Sequence, residues 1–361
     1  MYGIPIKIVN IIRNTYEKSE CCVQIDGEKT EWFEITAGVR QGCIWSPLLF
    51  LILIDYILKH SLDDNKLGMV LEKRISSRYP EQKLSDLAFA DDIALLDNTE
   101  EMLQKATDEV ASKGAKAGLI INVKKTKVMH VNNTPEDINV NILGSEPLEN
   151  VTDFTYLGST LSYNGSLSTE LDSRIGKASA AYNKLRPVLN NKKISTSTRL
   201  RIFQAVVVST LLYSSETWNL TIKEENRLAA FYNRCLRRIL CITWEDKVST
   251  EELLKRACSP NLKTLLRRKR LSWFGHVVRM APERVPRRTY FWQPRGKRSR
   301  GRQRQRRNDT LLRDLKMEIP HESSVHLGLY CTMAAEFERT RRVSSNSTAR
   351  VQFNPRCMEL E

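Results

Sequence analysis

The sequence predicts an α+β fold that gives way to a largely helical second half. Three observations predict it. Up to about residue 165, short runs of alternating apolar and polar residues, bounded by turn residues, lie between segments of helical spacing. Beyond that point the spacing is helical almost throughout. The chain has 361 residues, 41% of them hydrophobic, with only 15 glycines and 12 prolines, which is enough apolar material for two or three packed domains.

Residues 3–18 place Ile4, Ile8, Ile11, Ile12 and Tyr16 on one side of a helix. "CCVQIDGEKTEWFEIT" reads as a hairpin turning at Asp26-Gly27, a pair suited to the positive φ angles of a tight turn. "AGVRQGCIWSP" is a loop into an apolar helix over 47–59, with Ser46 as its cap and Pro47 in its first turn. A polar stretch follows from Ser61 to Lys83. "LAFADDIALLDN", residues 87–98, reads as strand, tight turn, strand. Asn98 and Glu101 have capping-box spacing for a helix with Leu103, Ala106, Val110 and Ala117 inward, ended by Gly118. "LIINVKKTKVMHV" reads as a lysine-bearing strand, and "FTYLGSTLS" as a further short strand and turn. Helical spacing then covers 168–186, 195–215, 223–241, 250–257 and 262–280. The last fifty residues show weaker periodicity and carry no assigned element.

The formal net charge is +15, which favours nucleic acid or another acidic partner. The excess is concentrated. From Asn261 to Arg307 there are 17 Lys or Arg and one acidic residue, Glu283. "RGKRSRGRQRQRR" within that stretch is too polar to bury. Eight cysteines without a repeated short spacing argue against a disulfide framework and for a reducing compartment. Lys7, Asn10, Arg13 and Asn14 interrupt the first apolar residues, so a secretory signal is not expected. The longest apolar run, "PLLFLILIDYIL", contains Asp55 and is too short to span a bilayer. Nucleus or cytoplasm, with no secretion and no membrane partner, is the expected location. Cys235, Cys241, Cys258 and His276 are separated by five, sixteen and seventeen residues, which fits no zinc knuckle. Packing is the expected role of Cys235, Cys241, Trp273 and Phe274, and packing or helix capping that of His276.

Asp91 and Asp92 raise the sharpest chemical question. Adjacent aspartates are common at turns, because Asp tolerates turn geometry and bonds nearby backbone. Between two packed apolar flanks they would instead sit at the rim of a core, where like charges repel and desolvation adds to the cost. A divalent cation removes both penalties, and Mg²⁺ is typically held by one or two carboxylates with substrate phosphates. On the residues alone both readings stand.

The order of motifs resembles the reverse transcriptase of non-LTR, LINE-like retrotransposons. "AGVRQGCIWSPLLF" is similar to that family's glycine-glutamine-glycine segment, and "LAFADDIALL" to its catalytic hairpin. "AGLIINVKKTKVM" is similar to the segment after the palm helix, and "FTYLGS" to the primer-grip region. "LLYSSETW", "RRKRLSWFGHVVRM" and "GKRSRGRQRQRR" resemble the family's C-terminal extension. The family usually has proline and leucine after "QGC", where this chain has Ile44 and Trp45.

The resemblance implies an incomplete reverse transcriptase palm over 1–165 and a helical thumb-like or connector region over 166–260. A basic nucleic-acid-binding segment over 261–310 and a tail over 311–361 follow. It implies Mg²⁺ as cofactor, ligated by Asp91 with Asp92 as its companion. Lys125 is expected to approach the triphosphate, where a lysine can neutralise the leaving pyrophosphate or donate a proton. Gly38, Arg40, Gln41 and Gly42 are the expected nucleotide- and template-binding loop. Tyr156, Leu157 and Gly158 are the expected primer grip, with Leu157 packing rather than reacting. The implied partners are an RNA template, a DNA primer or target, and deoxynucleoside triphosphates. Arg267, Arg268, Lys269, Arg270, Lys297, Arg298, Arg300, Arg302, Arg304, Arg306 and Arg307 are the expected nucleic-acid contacts.

The family's other metal-binding aspartate lies on a strand upstream of the segment similar to "YGIPIKIVNIIRNTY", which begins here at Tyr2. The expectation is therefore a truncated and inactive polymerase copy, lacking that strand, the fingers and the element's endonuclease. The competing expectations are a non-catalytic RNA- or DNA-binding remnant and a basic scaffold for an acidic protein.

Overall fold

The structure, a computed structural model, describes residues 2–35, 38–40, 42–63, 67–72, 81–131, 137–292 and 307–318. The fold is α+β, with small β pairs in the first part and helices in the second. The chain divides into two compact units. One is Met1–Gly158 with Ser162–Gly165, and the other is Ser159–Leu161 with Ser166–Glu361.

The first unit opens with helix α1 (Ile6–Tyr16), which starts after Pro5, where φ is already held at −59°. Its isoleucines lie on an uncovered side, and the helix has no buried residue. Strands β1 (Glu20–Cys21) and β4 (Phe33–Glu34) pair antiparallel around an inner pair, β2 (Gln24–Ile25) and β3 (Glu28–Lys29). The inner turn is Asp26-Gly27, with φ of +50° and +92°, as the sequence predicts. Helix α2 (Ser46–Leu58) carries Pro47 in its first turn. Its cap differs from expectation. Trp45 occupies the cap position, and the Ser46 hydroxyl instead donates to Arg40 O at 2.6 Å. A π-type turn, Lys59–Asp63, follows.

Strands β5 (Met69–Glu72) and β6 (Gln82–Leu84) pair antiparallel inside the stretch read from sequence only as polar. Strands β7 (Asp86–Phe89) and β8 (Asp92–Leu95) form the expected aspartate hairpin. Helix α3 (Glu100–Lys116) starts one residue later than the capping-box reading. Thr99, not Asn98, accepts from Met102 N at 3.3 Å. Ala106 and Val110 are buried as expected, whereas Ala117 is exposed at the helix end beside Gly118, φ +78°. The expected lysine-bearing strand shrinks to β9 (Lys127–Val128), which pairs parallel with β10 (Glu149–Asn150). The core lies between α2 and α3, where Ile54, Ile57, Leu58, Leu62, Ala106 and Val110 pack with Ile93 and Leu95 of β8. Strands β11 (Asp153–Tyr156) and β12 (Ser159–Ser162) flank the turn Leu157-Gly158, at which the division into units falls.

The second unit is helical; the sequence spacing locates its helices closely as far as Val278 and assigns none of those beyond it. They are α4 (Ser168–Leu189), α5 (Thr196–Ile202), a π-type stretch Phe203–Val208, α6 (Ser209–Leu211) and α7 (Ile222–Ile239), followed by α8 (Thr250–Arg256), α9 (Leu262–Val278), α10 (Val285–Phe291) and α11 (Arg307–Glu318). Thr221 and Glu224 cap α7 reciprocally, so two orphan amide donors are satisfied. Leu171, Phe203, Leu228, Tyr232, Leu236 and Leu266 are fully buried together in its main core. Two charged pairs are buried as well. Glu170 accepts from Arg174 Nε at 2.7 Å, and Arg174 lies 4.4 Å from the Tyr213 ring centre. Arg270 of α9 grips Asp314 of α11 through Nε at 2.6 Å and Nη2 at 3.2 Å.

Phe274 is wholly buried, as expected, against Tyr290 and Phe291, and Trp273 packs beside it. His276 is exposed, with its ring 5.5 Å from that of Trp273, so it is not a packed histidine; it stands in the last turn of α9. Cys235 is buried, and burial pushes its thiol up to about 11. Cys241 and Cys258 are exposed.

Candidate metal-binding hairpin

Asp91 and Asp92 sit at the tip of the β7–β8 hairpin. Phe89 pairs with Asp92, so only Ala90 and Asp91 make the loop. Two-residue hairpin loops need positive φ, usually supplied by glycine. Here Ala90 takes it, at φ +54°. A left-handed alanine costs roughly 1 kcal/mol, and such strain gathers at functional sites.

Strand alternation sorts the remaining side chains. The register places Asp86, Ala88, Ile93 and Leu95 on one face, and Leu87, Phe89, Asp92 and Ala94 on the other. Ile93 and Leu95 pack on the core. On the other face Leu87 is 41% and Phe89 63% exposed. The expectation of two packed flanks is thus met on one side only, and both aspartates are exposed.

A cleft of about 340 Å³ lies between α2 and β7, lined by Leu51, Asp55, Lys59, Asp63, Asp86 and Ala90 among others. Sequence reading did not single out Asp63 or Asp86; strand alternation puts Asp86 on the same face of β7 as Ala88, at the end of the hairpin away from the loop. Asp55 is already engaged. It accepts from Tyr2 Oη at 2.7 Å and from Lys59 Nζ at 2.8 Å. Those bonds, that of Lys59 foremost, hold its carboxyl below the usual range.

The structure joins one expected primer-grip residue to the hairpin. Tyr156 Oη donates to Leu87 O at 3.0 Å, across 69 residues of sequence. Burial, with Asp92 and Asp86 nearby, raises its phenol above the ordinary value. Tyr156→Phe removes this bond and is expected to cost about 1 kcal/mol. Amide exchange across Leu87–Leu95 should quicken accordingly, and unchanged exchange would show that the bond adds nothing to the hairpin.

The other expected site residues are placed less directly. Leu157 and Gly158 make a turn with φ of +49° and +81°. Leu157 is 40% exposed, against the packing role read from sequence. Lys125 lies in a turn rather than a strand, because its amide bonds to Asn122 O at 3.1 Å and to Asn122 Oδ1 at 3.2 Å. Its side chain is exposed. Gly38 and Gly42 have φ of +90° and +81°, and nothing lies within 4 Å of where a Cβ would stand. Arg40 is tied to the end of α1, donating to Thr15 O at 3.0 Å and Ser19 Oγ at 2.7 Å. Gln41 lies outside the described residues.

Of the expected nucleic-acid contacts on α9, Arg268 and Lys269 are exposed. Arg267 lies 3.6 Å from Asp314. Arg270 is 7% exposed and committed to Asp314, which gives it a structural partner in place of a phosphate. Lys297, Arg298, Arg300, Arg302, Arg304 and Arg306 lie outside the described residues, and Arg307 opens α11.

Among the described residues, no group of three or more His, Cys, Asp or Glu could hold a metal ion. Asp91 and Asp92 offer two exposed carboxylates, the donor chemistry that Mg²⁺ takes together with substrate phosphates. They do not by themselves fit a two-ion centre, whose ions lie about 3.5–4 Å apart. No helix among the described residues is long and apolar enough to cross a membrane.

Residues 2–161 match the family model of reverse transcriptase (RNA-dependent DNA polymerase). That stretch contains the hairpin, Lys125 and Tyr156, and it is distantly similar to the reverse transcriptase domain of non-LTR retrotransposon Pol proteins. A transposon-derived protein of Caenorhabditis elegans is 28% identical over 246 residues, 65% of this chain and 86% of that protein. The Pol polyprotein from the type-2 retrotransposable element R2DM of Drosophila melanogaster is 29% identical over 135 residues, covering 37% of this chain and 12% of the polyprotein. A Pol polyprotein from a type-1 retrotransposable element R2 of Popillia japonica is 26% identical over 172 residues, 45% of this chain and 27% of its own length. The matched segments are thus a small part of the polyproteins and most of the nematode protein.

Proposed function

We propose that this chain contributes the aspartate-hairpin part of an RNA-directed DNA polymerase of a non-LTR retrotransposon. The observation that carries the reading is the exposed Asp91–Asp92 tip, set on a strained two-residue loop inside the segment matched to reverse transcriptase. Asp91 is the metal ligand and Asp92 its companion. Mg²⁺, when bound, would stabilise the attacking and leaving oxygens of nucleotide addition. Gln41 and the glycines beside it would contact template and nucleotide, Lys125 the triphosphate, and Tyr156 would steady the hairpin beside the primer. RNA template, DNA primer and deoxynucleoside triphosphates are the partners of this reading.

On this reading the proposed ligands Asp91 and Asp92 lie on one turn, so residues 1–361 alone are expected not to extend a primer. Fusion behind the fingers and first palm strand of a related R2 element should give Mg²⁺-dependent extension on RNA. Robust extension by the 361 residues alone would contradict the need for a second carboxylate strand.

The charge of +15 favours nucleic-acid binding whether or not catalysis is retained. The test is charge removal rather than truncation at 260, because Leu262 and Leu266 belong to the main core. Replacing Arg268, Lys269, Lys297, Arg298, Arg300 and Arg302 by glutamine should weaken RNA binding. The salt slope should flatten by roughly 0.7 for each single-strand phosphate that is no longer neutralised. Filter binding across a salt series measures it. An unchanged affinity and slope would remove this segment from the interface, and equal competition by an acidic peptide would favour the scaffold reading.

A further inference from the structure

Helices α4 and α7 end side by side in the second unit, and one buried side chain ties the ends together. Arg199, 6% exposed, donates through Nη1 to Leu189 O at 3.1 Å and to Ile239 O at 2.8 Å. Those are carbonyls of the last residues of the two helices, groups that a helix cannot satisfy itself. Arg199 also offsets the negative ends of both helix dipoles.

Beside this junction lies a cleft of about 270 Å³, lined by Tyr182, Asn183, Arg186, Asn190 and Arg238. Tyr182, Arg186 and Asn190 recur every four residues and so share one side of α4 and its cap. Arg238 comes from the last turn of α7. No carboxylate lines the cleft, and neither arginine is in an ion pair among the described residues. Both guanidinium groups belong to residues in the last turns of their helices, and both residues are exposed.

The back of the cleft holds a further polar group. Tyr182 is 3% exposed, and its ring is fixed edge-on to Phe203 at 6.4 Å. Its hydroxyl is buried without a hydrogen-bond partner among the described residues. An unpaired buried hydroxyl costs about 1–3 kcal/mol. Such a group beside two unpaired guanidiniums is what an oxyanion site would contain. The side-chain amides of Asn183 and Asn190 supply neutral donors at the exposed mouth.

We propose that this cleft binds a phosphate group of a nucleic-acid strand, with Arg186 and Arg238 as the charged clamp and Tyr182 as a buried donor. Guanidinium forks suit phosphate because they can donate two parallel hydrogen bonds. A strand is favoured over a lone phosphate by the surroundings. Lys184 and Arg234 on the same two helices, and Lys192 and Lys193 just after α4, are all exposed and basic. The site is separate from the Asp91 hairpin and does not depend on polymerase activity.

The test uses the full chain, an Arg186→Gln/Arg238→Gln double variant and Tyr182→Phe. Both arginines are exposed, so the double variant should keep the fold, and circular dichroism with a thermal midpoint checks this. Calorimetry measures inorganic phosphate, and fluorescence anisotropy measures a labelled single-stranded RNA over a salt series. The double variant should lose about tenfold or more in affinity for both, since each charge-assisted bond is worth about 1.5–3 kcal/mol. Its RNA salt slope should fall by about 0.7, one phosphate. Tyr182→Phe should weaken inorganic phosphate by about threefold without a loss of thermal midpoint, because it removes only the buried donor. A double variant that binds inorganic phosphate as the parent does would overturn the site. One that loses phosphate yet binds RNA with the parent's affinity and slope would overturn the strand as ligand. Failure of primer extension leaves both readings intact, because neither measurement requires catalysis.

Discussion

Replacing Glu170 by alanine is expected to cost about 3–5 kcal/mol of unfolding free energy. Glu170 is 1% exposed and Arg174 is 5% exposed. The carboxylate accepts from Arg174 Nε at 2.7 Å, from Thr160 N at 2.7 Å and from Ser159 Oγ at 3.1 Å. Truncation takes the carboxylate away from the buried Arg174 charge, whose guanidinium also faces the Tyr213 ring, and withdraws the acceptor of the Thr160 amide. Urea unfolding followed by circular dichroism measures the loss. A change below about 1 kcal/mol, the range of an exposed pair, would show that water reaches the pair freely.

The same group carries a pH dependence. Burial alone would raise the Glu170 carboxyl, but the bonds from Arg174, Thr160 and Ser159, with the Arg174 charge, overcome it and hold the carboxyl below its ordinary 4.5. A depressed value in the folded state means that its stabilisation is complete above the unfolded value. It is lost as pH falls below about 4.5 toward the folded value. Glu170→Gln should therefore be less acid-sensitive than the parent in that window.

The elements that sequence located well are those in which local signals and packing agree. Helices α7 and α9 combine apolar spacing with polar caps at Thr221 and Asn261, and tertiary contacts only reinforce them. The Asp26-Gly27 and Leu157-Gly158 turns follow from glycine at a position needing positive φ. Failures occurred where competing local bonds decided the outcome. Asn98 and Thr99 both suit a cap, and a one-residue shift in which takes extended backbone moves the start of α3. Asn122 turns the backbone before Lys125, although the apolar run ahead of it reads as strand. Strand β6 was hidden by polar composition, since pairing needs backbone groups rather than apolar side chains, and β5, Met-Val-Leu-Glu, is a short apolar run inside a polar surround.

The candidate site was legible in the same uneven way. The Asp91–Asp92 hairpin stands in the sequence as a motif, with its two-residue loop implied. That Tyr156 reaches Leu87 across 69 residues is a tertiary fact with no local signal. Arg270 shows the converse. It sits in a run of four basic residues that reads as a solvated face, but its partner Asp314 is 44 residues away and buries it. The cleft at Arg186 and Arg238 depends on two helix ends meeting, which spacing along either helix does not reveal.

Catalysis should show the second large effect. Asp91 is exposed at the hairpin tip, and its neighbour Asp92 cannot take its place, since loop and strand positions project differently. A metal ion contributes several kcal/mol of charge stabilisation to the transition state. At 1.36 kcal/mol per factor of ten, losing it lowers the rate by about three orders of magnitude. Asn at position 91 keeps the size and the turn preference but withdraws the charge, so the hairpin itself should survive.

The most direct measurement is the rate of Mg²⁺-dependent primer extension on an RNA template by the fusion with an R2 fingers and first palm strand, with and without Asp91→Asn. RNA affinity is measured on the same two proteins. We predict a rate lower by about 10³-fold in the Asp91→Asn fusion, with RNA affinity unchanged. An active fusion that keeps its rate after Asp91→Asn would contradict the assignment of this hairpin as the metal-binding part of a polymerase.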